Sequence, residues 1–209
     1  MADRAARNAE PDSLTTEPRL FVAVPLDDDA RTAVTEVVER VRAEEPRPPK
    51  GRRGVRWVRL EGLHLTLRFL GPTDARRVPD LAAALGSVAA ASRGFDVRIA
   101  GAGGFPSEAR PRTIWLGLRE GAAALADLAL SVDAALEPLG WDRQDRPFRP
   151  HLTLARSDGV VAGPAVVRSL GQAMDGREID SRIDRIVLFE SVTGGGRARY
   201  VSWHEVSLG

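Results

Sequence analysis

The sequence predicts an α+β protein built mainly on antiparallel strands, with two related lobes around a central groove. Strand-like and helix-like stretches follow one another without the regular βαβ alternation of a parallel sheet. The tetrapeptide His-Leu-Thr-Leu also occurs twice, at His64–Leu67 and at His151–Leu154. Each copy lies near the middle of its half of the folded part and is followed by a turn and then a helical stretch. An internal duplication would leave that arrangement, although the two halves share little outside the motifs.

The polar, Pro-interrupted residues 1–18 read as a disordered tail, leaving 19–209 as a single domain. Arg19–Leu26 is a short apolar run closed by Pro25, a strand. Asp27 to Asp29 supply the cap and first-turn carboxylates of a helix that buries Val34, Val37, Val38 and Val41 and stops before Pro46. Pro46–Gly54 is a basic loop that neither helix nor strand would tolerate. Val55–Leu60 and Leu63–Leu70 form a strand or hairpin carrying the first motif, ended by Gly71 and Pro72. Asp74 caps a helix with Val78, Leu81, Ala82 and Leu85 inward. Phe95–Ala100 and Thr113–Leu118 are strands joined by a Gly-, Pro- and Arg-rich loop, and Gly121–Leu139 is an Ala/Leu-rich helix. A loop, Trp141–Pro150, leads into the second motif strand, Phe148–Arg156. A helix over Pro164–Ala173 follows, then closing strands Ile183–Glu190 and Tyr200–Val206 around Thr193–Gly196.

Composition excludes several function classes. The net charge is only +1, so nucleic-acid affinity must come from local Arg clusters and not from a global basic field. With no Cys there are no disulfides, thiolate zinc sites or Cys nucleophiles, which fits a reducing cytoplasm. No apolar run reaches the ~20 residues that span a bilayer, and the N-terminus lacks the apolar core of a signal peptide. The expectation is a monomeric cytoplasmic protein without an obligate protein partner.

The two motifs hold two of the chain's three histidines. In a strand, residues i and i+2 share a face, so each copy shows one imidazole and one hydroxyl on one side and two leucines on the other. Alternating Leu suits a core, which turns His64, Thr66, His151 and Thr153 toward a cleft. Paired imidazoles can serve as acid and base near neutrality, as phosphate-ester cleavage requires. Thr66 and Thr153 can donate to non-bridging oxygens as charge builds in the transition state. A metal site fits less well, because the motif neighbours are Arg68, Arg149 and Arg156 and not carboxylates. No Gly-X-Ser-X-Gly elbow supports a serine triad.

Other candidates carry two readings each. Arg68 shares parity with His64 and Thr66, so it either meets phosphate or ends the strand in solvent. Phe148 and Phe105 either stack on a base or pack in the core, whereas the parity of Phe69 places it with Leu65 and Leu67 in the core. Lys50, Arg52 and Arg53 either steer an RNA backbone or lie in a solvated loop. Strict alternation turns Arg156 away from the cleft. His204 reads as a surface or packing residue, and Trp57, Trp115 and Trp203 as sheet packing.

The segments RLFVAVPL, WVRLEGLHLTLRFLG, GGFPSEARPRTIWLG, FRPHLTLAR and RIVLFESVTGGGRARYVSWHEVSL resemble, in order, an RNA 2′,3′-cyclic phosphodiesterase of the 2H phosphoesterase superfamily, the family also called bacterial 2′-5′ RNA ligases. The resemblance runs from about Arg19 to Leu208, and both His-X-Thr-X motifs that define the family are intact. It implies a bilobal, pseudo-twofold α+β fold, with two mainly antiparallel sheets lining a central cleft and helices outside. It implies hydrolysis of RNA or nucleotide 2′,3′-cyclic phosphates to 2′-phosphomonoesters, with no metal or cofactor, and a reverse 2′-5′ ligation. His64 would be the proton donor and His151 the proton acceptor, with Thr66 and Thr153 holding the phosphate. Arg156 ends the family's second motif string, which gives it a substrate or structural role. From the residues alone the near-symmetric histidines cannot be told apart, because they titrate as a unit. Two other functions fit the same motifs: a non-catalytic RNA-end-binding module, and a sister phosphodiesterase for another cyclic phosphate or 2′-5′ oligoadenylate.

Overall fold

The computed structural model describes residues 17–44, 54–158, 162–192 and 198–209. The expected tail, apart from its last two residues, lies outside the described residues. So do Lys50, Arg52 and Arg53 of the basic loop, and the Thr193–Gly196 turn. Strand β1 (Arg19–Pro25) is followed by helix α1 (Asp28–Glu44), the two-residue strand β2 (Arg56–Trp57) and the first motif strand β3 (His64–Pro72). Helix α2 (Val78–Ala91), strands β4 (Phe95–Phe105) and β5 (Thr113–Glu120) and helix α3 (Ala122–Leu136) come next. The second motif strand β6 (Leu152–Arg156), helix α4 (Gly163–Ala173) and strands β7 (Ile179–Ile183), β8 (Arg185–Val192) and β9 (Arg199–Ser207) complete the chain.

The strands form one curled antiparallel sheet in the order β7-β4-β5-β6-β3-β1-β8-β9, with β2 added on β6. The two sheets expected from sequence are its two four-stranded halves, joined where β3 meets β6 at the pair Leu65↔Leu152. The halves do not follow the halves of the chain. The C-terminal hairpin β8–β9 returns to pair with β1 beside the first motif. Helix α1 packs with α4 near β7, whereas α2 and α3 cover the other half near β3, β8 and β9. Each helix lays its apolar stripe on the sheet, and all of them share one core, which joins Val34 and Val38 of α1, Leu81 and Leu85 of α2 and Leu125 and Val132 of α3.

Local chemistry sets the boundaries. Asp27 caps α1, its carboxylate accepting from the Ala30 amide at 2.8 Å and from the Arg182 amide at the end of β7 at 2.6 Å. That second bond ties the start of α1 to the far half of the sheet. Two expectations need correction. Strand β4 runs on through the glycine-rich stretch to Phe105, with Gly101 taking φ +67° at a register shift. The closing strand expected over Ile183–Glu190 is instead two strands that meet at Asp184.

The fate of Arg68 is a further correction. It is 8% exposed and does not line the cleft. Its guanidinium lies 2.7 Å from the Asp133 carboxylate on α3 and donates to the Asp142 carbonyl. Asp133 in turn accepts from the Gln144 amide at 3.0 Å. Arg68 therefore ties β3 to the segment leading into the second motif. Breaking one half of a buried pair of this kind costs ~3–5 kcal/mol, because the other charge is left unpaired.

Candidate active site

The pair Leu65↔Leu152 sets the geometry of the site. Its antiparallel register places His64 opposite Thr153 and Thr66 opposite His151, so each histidine faces the other motif's threonine. Leu65, Leu67, Leu152 and Leu154 are buried on the reverse face, while both histidines and both threonines are half-buried. To this point the burial follows strand alternation.

Beyond each threonine a bulge reverses the alternation. Val22 pairs with Arg68 and Ala23 with Thr66, which leaves Leu67 unpaired. In the second motif Ile114 pairs with Ala155 and Trp115 with Thr153, which leaves Leu154 unpaired. The extra residue turns its successor inward and the next one outward. Arg68 and Ala155 therefore point to the core, while Phe69 and Arg156 face the cleft. Phe69, expected in the core, is 67% exposed on the cleft wall. Arg156, which strict alternation turns away but the family resemblance gives a substrate or structural role, lines the cleft and donates to Thr113 Oγ1 at 2.6 Å. The two motifs thus share a bulge as well as a tetrapeptide, but they end in different chemistry.

The two imidazoles are held alike. His64 Nδ1 donates to the carbonyl of Gly62 at 2.7 Å, and His151 Nδ1 donates to the carbonyl of Arg149 at 2.6 Å. A carbonyl only accepts, so in each neutral ring the proton is on Nδ1 and Nε2 is left free for chemistry. Aromatic rings fix the planes. Phe21 and Tyr200 lie with centroids 4.9 Å from His64, and Phe189 at 5.9 Å. Phe105 meets His151 edge-on at 5.0 Å, with Trp115 at 6.4 Å. A Cβ at Gly62 would lie 2.9 Å from the Tyr200 ring, so a larger residue there would push that ring from its place beside His64.

Burial pushes His64 down to about 4, against the raising effect of the Gly62 bond, and the charge of His151 adds to the depression. His151 is lowered as well, by burial first, with the Arg149 bond opposing and Arg156 contributing. Burial raises the Tyr200 phenol. The cleft holds about 720 Å³ and is lined by His64, Thr66 and Thr153 together with Phe21, Phe69 and Tyr200. Arg19, Arg56 and Arg156 also line it, and no carboxylate does so among the described residues.

Of the substrate-binding candidates, Arg156 is at the site and Arg68 is not. Phe148 is a correction too, because it packs against the core and does not line the cleft. Phe105 stands beside His151. Trp57 is buried as expected, whereas Trp203 is 39% exposed, with its indole donating to Glu190 at 3.0 Å. Sequence reasoning missed Phe21, Tyr200, Phe189, Arg19 and Arg56. Phe21 was hidden inside a uniformly apolar run, and Tyr200 reaches His64 only through the long-range pairing of β8 with β1.

Residues 24–195, a span holding both motifs, match the sequence model of the 2′-5′ RNA ligase superfamily. The chain belongs to that superfamily. A protein of Archaeoglobus fulgidus named RNA 2′,3′-cyclic phosphodiesterase is 36% identical over 138 residues, covering 66% of this chain and 72% of its own. An Escherichia coli protein of the same name is 31% identical over 184 residues, covering 87% and 92%. A Geobacillus stearothermophilus relative, also so named, is 36% identical over 155 residues and 73% of this chain; the chain spans about half of that protein, 47%. Among solved structures, E. coli LigT complexed with 3′-AMP superposes with a TM-score of 0.68 at 29% identity, covering 91% of this chain and 98% of LigT. TT0787 of Thermus thermophilus gives 0.69 at 28% identity, covering 91% and 97%. The superfamily match agrees with the fold and the resemblance read from sequence. Among the described residues no helix of this superfamily member is long and apolar enough to cross a membrane.

Proposed function

We propose that the protein hydrolyses terminal 2′,3′-cyclic phosphates of RNA or nucleotides to 2′-phosphomonoesters by two-histidine acid/base catalysis without a metal. One observation carries this reading: across the Leu65↔Leu152 register His64 stands opposite Thr153 and His151 opposite Thr66, and each ring is held at Nδ1 by a carbonyl, which leaves its Nε2 free. Water attacks phosphorus and passes its proton to His151 Nε2. The P–O3′ bond breaks, and His64 Nε2 protonates the departing O3′. Thr66 and Thr153 donate to the non-bridging oxygens. In the free protein burial lowers both rings. For His64 to act as donor it must be protonated, which a bound phosphate anion favours. With acid and base exchanged, the same groups would join a cyclic end to a 5′-hydroxyl, and hydrolysis prevails unless the RNA ends are held together.

A short RNA with a 2′,3′-cyclic end should be converted to the 2′-phosphate product alone, at an undiminished rate in excess EDTA. A 3′-phosphate product, or loss of activity in chelator, would overturn the assignment.

The pH dependence follows from the two depressed histidines. The active form carries one proton on the pair, and both free-enzyme values lie below the ordinary 6.5. Acid below the lower value protonates the base; alkali above the upper value strips the acid. The expected kcat/KM profile is a bell centred below pH 6.5 that falls about tenfold per pH unit on its alkaline side. A phosphate anion between the rings raises both, so the kcat bell should lie at higher pH. A kcat/KM plateau extending to pH 8 would contradict these proton inventories.

A further inference from the structure

Strand β2 consists of two residues with different tasks. Trp57, 4% exposed, anchors it in the core. Arg56 is exposed, lines the cleft and is paired directly with Arg156 across the β2–β6 ladder. The Val58 amide locks the register by donating to the Leu154 carbonyl at 2.9 Å. Two arginines directly opposite one another on antiparallel strands repel. Arg156 is steadied by Thr113 Oγ1, but among the described residues no carboxylate joins Arg56 or lines this wall. The arrangement becomes favourable when an anion lies between the two guanidiniums, which match phosphate oxygens in a fixed fork geometry. With Leu154 bulged out, Arg156 stands two ladder steps from Thr153, opposite Thr113 where Thr153 is opposite Trp115, about 7 Å at the strand rise, and so one same-face position outward from the threonines that hold the reacting phosphate. The corresponding position in the first motif is Phe69, so at this position only the second motif carries a cation.

We propose that Arg56 and Arg156 form a phosphate subsite for the phosphodiester preceding the cyclic end, which makes oligonucleotide ends better substrates than mononucleoside 2′,3′-cyclic phosphates. The proposal rests on the hydrolytic reading above and names the substrate class within it. The histidines and threonines are common to both substrates, whereas the Arg56–Arg156 pair meets only the longer one.

The test compares kcat/KM for a tetranucleotide with a 2′,3′-cyclic end against a mononucleoside 2′,3′-cyclic phosphate, in the unaltered protein, Arg56→Gln and Arg56→Lys. In Arg56→Gln the tetranucleotide-to-mononucleotide ratio should fall about tenfold, and the log–log salt slope for the tetranucleotide should flatten by ~0.7, the value of one phosphate contact on a single strand. Arg56→Lys should restore most of the ratio, since it keeps the charge. An unchanged ratio in Arg56→Gln, or equal loss on both substrates, overturns the subsite. Fluorescence anisotropy with a tetranucleotide ending in a 2′-phosphate reads the subsite without turnover. Arg56→Gln should weaken that binding about tenfold, and unchanged affinity would refute the proposal even if the unaltered protein hydrolysed neither substrate, a result that would itself remove the hydrolytic reading.

Discussion

His64→Ala and His151→Ala should each lower kcat/KM by ~10³-fold or more while the protein stays folded. General acid or base catalysis by a placed side chain contributes ~10²–10⁴ in rate, and here no neighbour can replace either ring. Around His64 stand Phe21, Phe189 and Tyr200; around His151 stand Phe105 and Trp115. Of these only Tyr200 can ionise, and burial raises it away from neutrality. Neither histidine supports the sheet, because the Leu65↔Leu152 pair and the leucines behind it do so. Thermal unfolding of both variants should therefore remain cooperative. The double variant should be scarcely worse than the weaker single one, since acid and base act as a unit. Either single variant retaining activity within tenfold of the unaltered protein would remove that histidine from the mechanism.

How far the site could be read from the chain depends on where strand alternation holds. Period-two reasoning sets His64, Thr66, His151 and Thr153 on the face away from the buried leucines, as the burial shows, because nothing interrupts the pleat between each histidine and its threonine. It fails one residue later in both motifs. The extra residues Leu67 and Leu154 reverse the faces, which buries Arg68 beside Asp133 and brings Phe69 and Arg156 out to the cleft. A bulge leaves no mark in a run such as Leu-Arg-Phe-Leu, where every residue suits a strand. The fold class and most elements were legible from hydrophobic period and caps. The interleaving of the lobes was not, since the return of β8 and β9 to β1 is a pairing between distant segments of similar apolar pattern. The same long-range pairing delivers Tyr200 to His64, and local sequence cannot anticipate that contact. Arg56 was lost for another reason: its neighbours in sequence form a basic stretch in which one arginine looks like the next, and only the ladder with Arg156 singles it out.

Thr66→Ala and Thr153→Ala carry the next largest expected effects, a loss of ~10²–10³ in kcat each with KM little changed. Removing one preorganised donor to an oxyanion costs about this much, and the loss falls on kcat when the bond strengthens as charge develops. Both threonines line the cleft, and among the described residues neither hydroxyl is engaged by another protein group. Each therefore enters the reaction without first giving up a partner. The register across Leu65↔Leu152 sets Thr153 beside His64 and Thr66 beside His151, so every protonation event has a hydroxyl from the opposite lobe next to it. The two alanine variants should accordingly be similar in size, and Thr→Ser at either position should recover most of the rate because it keeps the donor. A large rise in KM with kcat intact would show instead that the hydroxyls hold ground-state phosphate. A loss in only one of the two variants would mean that the pseudo-twofold geometry does not extend to the reacting oxygens.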